Sequence, residues 1–374
     1  MTRTTIQLPL KPSSLGTARS LTVHRYGRPG ARPKAYLQAS LHADELPGHL
    51  VLHHLMGLLD AAPDAIRGEI AIVPVANPVG QSQHVRGSMI GRFDLDGGTN
   101  FNRNFPNLTD AIAERLDGRL SADAAANTAA IRAAFAQAIA AQSPAGEVAH
   151  LRLELLRLAH DADIALDLHC DEIAPMHLYT TPDLWPVAAP LAADLGARAV
   201  MLIRDSGDEP YDEALSKPWW QLAERFGNSA IPLAPCFAAT VELRGKADVD
   251  DTLAAADAAA IYRYFQRRGL LAGDPGPVPV PLCTPVPLEA VDRLRAPEAG
   301  IIVRRAPLCA EVRAGDTVVD IVDATTGTRT PVKARADGMV LSHALLPFAT
   351  AGAMVAKVAG REKLPDRKGN LLSE

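Results

Sequence analysis

Aromatic residues make up 5% of this 374-residue sequence and cysteine occurs only four times, and each shortage argues against a class of function. So few rings leave little for the stacking platforms that bind nucleic acid. No run of Lys and Arg stands in their place, and the formal charge is −5. Nucleic acid is therefore not expected as a partner. Cys170, Cys236, Cys283 and Cys309 are scattered through apolar contexts, which argues against a disulfide framework and against a four-thiolate metal site. Cys170, next to His169, is open to reading as a redox thiol or a fourth metal ligand, although a small buried hydrophobe is the commoner role of such a residue. No apolar run approaches membrane-spanning length, and Met1-Thr2-Arg3-Thr4-Thr5-Ile6-Gln7 has no apolar signal core. A cytoplasmic protein with no membrane partner is expected.

What is present is apolar and periodic. With 48% hydrophobic residues, the chain can bury more than one core. From about Ser20 to Tyr264, strand-like runs (Leu21–His24, Ala35–Ser40, Ile70–Val75, Ile164–His169, Ala199–Ile203, Ala238–Leu243) alternate with helical ones near Gly48–Leu59, Ala122–Ala141, Gly146–Ala159, Val187–Leu195 and Thr252–Arg268. That order predicts an α/β fold, a mixed and mostly parallel sheet with helices on both faces. Repeated proline at Gly273-Asp274-Pro275-Gly276-Pro277-Val278-Pro279-Val280-Pro281 removes donors and fixes φ, which predicts an extended linker over 273–281 between a catalytic domain, 1–272, and a small β domain, 282–374. Within the latter, the stretch 296–321 is echoed by 334–358, each opening Ala-x-x-x-Gly, so an all-β, barrel-like unit with internal pseudosymmetry is expected. It resembles the unit that carries biotin or lipoate. The hairpin with a modified lysine is absent, which leaves a structural or site-covering role.

The chemistry concentrates at strand ends. His42 and Glu45 are spaced three apart just after the run 35–40, and His169 closes the run 164–169 in Asp167-Leu168-His169-Cys170-Asp171. Two imidazoles and a carboxylate, with one position left for water, are the donor set of a hydrolytic zinc, and open α/β sheets place their sites at such strand ends. Asp167 faces the same way as His169 and either orients it or serves as a plain hydrogen-bonding residue. Glu242 interrupts the apolar strand Thr240-Val241-Glu242-Leu243, where a carboxylate needs a partner or a task; the task expected beside zinc is general base. The loop from Arg92 to Pro106 is dense in Gly and Asn and contains Asn102-Arg103. On its own it reads most simply as a surface loop whose amides cap turns, although guanidinium forks there could also hold carboxylates.

His42-x-x-Glu45, Asn102-Arg103, His169 and Glu242, in that order, resemble the zinc carboxypeptidase superfamily, and Asn-Phe-Asn-Arg-Asn-Phe-Pro looks like its substrate-binding segment. The trailing β region makes the match closer to the aspartoacylase/succinylglutamate desuccinylase branch, which hydrolyses N-acyl amino acids. The resemblance implies one Zn2+ per chain on His42, Glu45 and His169, with Glu242 as general base. It further implies that Asn102 and Arg103 hold the substrate carboxylate and that Arg92 polarises the scissile carbonyl, with Arg86 a competing arginine for that role. Tyr211 and Arg204 are candidates for the family's tyrosine and its extra substrate arginine. The implied activity is a zinc-dependent amide hydrolase, a deacylase acting on a small substrate with a carboxylate. A carboxypeptidase acting on short peptides is the alternative, and a non-catalytic binding protein on the same scaffold would lack one of the essential residues. A homo-oligomer is left open.

Overall fold

A strand buried on both faces must be largely apolar on both, and several segments of this chain meet that demand, three of them side by side. In the computed structural model, which describes residues 3–227 and 230–372, these three are β3, β7 and β10 at the middle of a nine-stranded sheet. The strands in chain order are β1 (Thr4–Pro9), β2 (Ser20–Tyr26), β3 (Lys34–Ala39) and β4 (Glu69–Val73), then a separate hairpin of β5 (His84–Val85) and β6 (Ser88–Met89). They continue with β7 (Ile164–Asp171), β8 (His177–Thr180), β9 (Ala199–Leu202), β10 (Phe237–Gly245) and β11 (Val286–Pro287). The order across the large sheet is β1-β2-β4-β3-β7-β10-β8-β9-β11. β3 runs parallel to β4 and β7, and β10 to β7, while β8 lies antiparallel to β10.

Alternation along the central strands builds two cores. Leu37, Leu166 and Val241 point to one face and pack with Leu52, Leu191 and Ile261 of the helices Pro47–Ala61, Trp185–Asp194 and Asp251–Arg267. Tyr36, Ala165 and Ala238 point to the other, against Ile112, Ile131, Leu155 and Leu215 of the helices Thr109–Leu116, Ala124–Ala140, Glu147–Ala159 and Tyr211–Arg225. The expected α/β arrangement with helices on both faces is what is found. Two of these helices were not foreseen: Tyr211–Arg225 carries an internal Pro218, and Thr109–Leu116 spans only eight residues. β1 also escaped, because an almost wholly exposed edge strand needs no apolar alternation.

The segment 273–285 runs without helix or strand, and the chain then adds β11 to the edge of the large sheet beside β9. Beyond it lie two four-stranded antiparallel sheets. One is ordered Val291–Arg295, Met354–Gly360, Gly338–His343, Glu311–Val312; the other Thr328–Lys333, Thr317–Asp323, Gly300–Arg304, Phe348–Ala349. They share one core of residues such as Leu294, Val319, Ile321, Val340 and Val358. The pseudosymmetry is an exchange of short strands: Glu311–Val312 from the first half pairs with Gly338–His343 of the second, and Phe348–Ala349 from the second pairs with Gly300–Arg304 of the first.

Candidate active site

The face that buries Tyr36, Ala165 and Ala238 changes character toward the C-terminal ends of its parallel strands. Two residues on, these positions become Gln38, Asp167 and Thr240, and two further along β7 and β10 they become His169 and Glu242. Period-two alternation therefore puts Asp167, His169, Thr240 and Glu242 on one side, with His169 and Glu242 in direct register on adjacent strands. β3 contributes through the loop that follows it. Ser40, at φ +56°, turns the chain, and its hydroxyl donates to Glu45 O at 2.8 Å, fixing the short connection that carries His42 and Glu45 into the helix Pro47–Ala61. Gly91 lies against this connection so closely that a Cβ there would sit 2.1 Å from Asp44 N.

His42, Glu45 and His169 are buried together, with one donor atom from each within 4.8 Å of the others. Nδ1 of His42 is 3.0 Å from Glu45 Oε1 and Nδ1 of His169 is 2.8 Å from Glu45 Oε2. Each outer nitrogen meets an oxygen: His42 Nε2 lies 2.8 Å from Asn100 Oδ1, and His169 Nε2 lies 2.8 Å from Asp167 Oδ2. With oxygen acceptors available to an Nε2 proton on each ring, the Nδ1 atoms and the Glu45 carboxylate are the donors that would face a cation, so the residues fit a metal ion. Asp167 takes the orienting role, and is itself held by Gln38, whose Nε2 donates to it at 3.0 Å and whose Oε1 accepts from Tyr36 OH at 2.8 Å. Asn100, the matching partner of His42, was missed in the sequence because an amide in a Gly-rich loop carries no periodic signal.

Charge is concentrated here. Burial disfavours ionised Glu45, but the two imidazoles outweigh it and hold the carboxyl well below its usual range. Burial and then Arg92 push His42 down to about 4. For His169 burial acts in the same direction, yet Asp167 and Glu45 overcome it and raise the imidazole well above its ordinary value. Glu45 also accepts from Cys170 N at 3.1 Å and from Arg92 Nη2 at 3.0 Å. Cys170 thus serves the cluster through its backbone, and burial of its side chain raises the thiol, as for an inert small residue.

His42, His169, Arg92, Asn102, Arg103 and Glu242 line one pocket. Glu242 Oε2 is buried without a hydrogen-bond partner among the described residues. Burial, followed by repulsion from Glu45, raises its carboxyl to about 8. Asn102 presents Nδ2 3.3 Å from His169 Nε2, and its Oδ1 accepts from Tyr211 N at 2.9 Å, so the first turn of the helix Tyr211–Arg225 fixes the amide. Arg103 is tied through Nη1 to its neighbour's carbonyl, Asn102 O, at 2.6 Å.

Three candidates fall outside. Arg86 is exposed in the turn of the β5–β6 hairpin, where its φ is +49°. Arg204 pairs with Asp183 and Glu224 away from the pocket. The Tyr211 ring is buried in the core, its hydroxyl directed at Leu155 O at 3.4 Å. Conversely, the C-terminal β region supplies pocket residues that the sequence reading missed, among them Arg293, Met354 and Lys357. Lys357 Nζ reaches Asp171 Oδ2 at 2.6 Å, so a buried ion pair joins the β region to the end of β7. A lysine inside Val355-Ala356-Lys357-Val358 is the same signal that singled out Glu242.

Residues 31–267 match the profile of the succinylglutamate desuccinylase/aspartoacylase catalytic domain. The chain belongs to that family. Its members are deacylases of small acylated amino acids. Among solved structures, a succinylglutamate desuccinylase/aspartoacylase family protein of Shewanella amazonensis SB2B is 28% identical, with a TM-score of 0.84 over 96% of this chain and 98% of that one. A protein of the same family from Shewanella frigidimarina NCIMB 400 is 26% identical, again with a TM-score of 0.84 over 96% and 98%. The ectoine utilization protein EutE (DoeB) of Ruegeria pomeroyi, at 18% identity and a TM-score of 0.66 over 96% and 95%, shares the fold. No curated protein matches the chain. The family profile covers the strands and loops that carry all seven proposed site residues, whereas the pocket wall formed by Arg293, Met354 and Lys357 lies beyond it. Among the described residues, no helix is long and apolar enough to cross a membrane.

Proposed function

We propose that this member of the family is a zinc-dependent amide hydrolase that removes the acyl group from a small N-acyl amino acid or related amide. The observation that carries the reading is Glu242, whose Oε2 is buried without a partner among the described residues, in register with His169 and in one pocket with His42, His169, Arg92 and Arg103. A bound zinc supplies Lewis acidity, lowering the pKa of a water toward about 7 and polarising the carbonyl. His42, Glu45 and His169 are its ligands. Glu242 takes the proton of the attacking water and returns it to the departing nitrogen, a transfer that needs a carboxylate with a free oxygen and a pKa near neutrality. A cation held by His42, Glu45 and His169 would favour the ionised form of Glu242, which burial and Glu45 otherwise hold up at about 8. Arg92 donates to the carbonyl oxygen as negative charge develops there. Asn102 and Arg103 hold the substrate's carboxylate.

A deacylase is preferred to a peptidase because side chains of the β region and of Leu371 and Leu372 wall the pocket. The zinc-loaded protein assayed against N-acetyl, N-succinyl and other N-acyl amino acids beside short peptides, with release of free amine as readout, should hydrolyse a subset of the former. Turnover confined to peptides would establish the carboxypeptidase alternative; no turnover across the panel, with metal bound, would favour a binding protein.

A further inference from the structure

Arg103 is half of the pair proposed to hold the substrate carboxylate, yet among the described residues its guanidinium is hydrogen-bonded only by backbone carbonyls. Nη1 is taken by Asn102 O, Nη2 donates to the backbone carbonyl of Leu372 at 3.1 Å, and Nε is buried without a partner. The group is thus clasped on one side by its own loop and on the other by a segment 269 residues further along the chain. That segment is firmly docked. Leu371 N donates to Ser206 O at 2.8 Å, and Leu372 N donates to Asp208 Oδ2 at 2.8 Å. Arg367 Nη2 donates to Leu371 O at 2.9 Å, and the Leu371 side chain is 5% exposed in an apolar cluster with Met201, Leu288 and Val291. The loop that receives it is shaped for the contact: Gly207 has φ +82°, and a Cβ there would lie 2.9 Å from Asn370 Oδ1 and 3.0 Å from Gly369 O. The same loop holds the segment around Arg103, since Asn104 N donates to Asp208 O at 3.2 Å and Phe105 N to Glu209 O at 3.0 Å. Buried Lys217 braces it through Asp205 and Glu209 at 2.9 and 2.8 Å.

We infer that the segment 364–372 is a strap that positions Arg103 for the substrate carboxylate, so that the recognition half of the site is completed by the far end of the chain. The inference rests on the proposed role of Arg103 in binding that carboxylate. A guanidinium held at two of its nitrogens presents its remaining Nη hydrogens in a fixed plane, ready for a carboxylate; released, it must be ordered by each substrate at an entropic cost. Among the described residues no hydrogen bond or ion pair joins the strap to the His42–Glu45–His169 cluster, so its effect belongs to binding.

The test compares three changes in the zinc-loaded full-length protein, with the acylated amino acid found best in the panel as substrate. Deleting residues 370–374 should raise KM about tenfold with kcat within about twofold and metal content unchanged, the signature of lost uniform binding. Leu371→Asp, which places a charge in the apolar cluster and unseats the strap, should do the same and serves where the deletion does not fold. Arg103→Ala should raise KM at least as much, and the two changes combined should raise KM by clearly less than the product of their separate effects, because the strap and that side chain are coupled. If both strap variants keep wild-type KM while Arg103→Ala raises it, the strap inference fails and the carboxylate role stands. If Arg103→Ala itself leaves KM unchanged, the carboxylate role fails. If the strap variants lower kcat together with metal content, the strap supports the fold rather than Arg103 and the inference is overturned.

Discussion

The two regions that meet at the pocket contribute in different ways. The α/β sheet delivers His169 and Glu242 from strand interiors and His42, Glu45, Arg92, Asn102 and Arg103 from loops at the same end, so all the proposed chemistry comes from one side. The β region and the strap deliver Arg293, Met354, Lys357 and Leu372 from the other side, and none of these lies among the ligand atoms. The contrast teaches a division between bond-making and access: one region is built so that charged groups converge, the other so that they are walled in and pinned.

The sharpest way to break that division is to remove a ligand. His169→Ala should lose metal near-stoichiometrically and with it activity by about a thousandfold or more, read by metal analysis and turnover. Retention of zinc at wild-type affinity would relocate the site. Next in size, Glu242→Gln should retain metal while lowering kcat on the order of a hundredfold, since the amide preserves shape but accepts no proton. A Glu with only a structural role would instead show lost stability with activity kept in the folded fraction. Within the same loop, Arg92→Ala should lower kcat by about 10–100-fold while Arg103→Ala mainly raises KM, and exchanged phenotypes would exchange the roles.

On the other side of the comparison, Lys357→Met should destabilise the protein by about 3 kcal/mol, because it strands Asp171 in a buried place, while kcat in the folded fraction changes little. The pH dependence has a definite sign. Burial opposes ionisation of Asp171, but Lys357 outweighs it and holds the carboxyl down at about 2. Its folded value is below the unfolded one, so the pair's stability is present above about pH 4 and is lost as pH falls toward 2. Denaturant unfolding of the wild type should show that loss over this window, and Lys357→Met should flatten it. A kcat that fell with stability would bring Lys357 into the chemistry and erase the division.

The division also explains what could be read in the sequence. Strands buried on both faces announce themselves by continuous apolar runs, and a His or Glu inside such a run stands out; β7 and β10 with His169 and Glu242 were legible for that reason. Asn102 and Arg103 came only through family resemblance, because a loop of Gly and Asn has no period. Lys357 was legible by the rule that found Glu242, but it was passed over because its strand lay in a region expected to be structural. The strap could not have been read at all: Leu372 acts through a backbone carbonyl, and no residue type encodes that. The helix Tyr211–Arg225, whose first residue fixes Asn102, was hidden by its own charges and by Pro218.

The exchange of short strands in the β region bears on how the pocket can open. Glu311–Val312 completes the sheet of the second half and Phe348–Ala349 that of the first, so neither half has a finished sheet alone. A fragment ending near Asp323 would have an unsatisfied edge where Phe348 belongs, and the complementary fragment would lack its own; mixed, each supplies what the other is missing. Lys357 sits on a strand of this interlocked unit, and the chain leads from its last strand directly into the strap. The wall of the pocket is therefore carried by an interlocked unit, so opening the pocket through it would disturb both halves together.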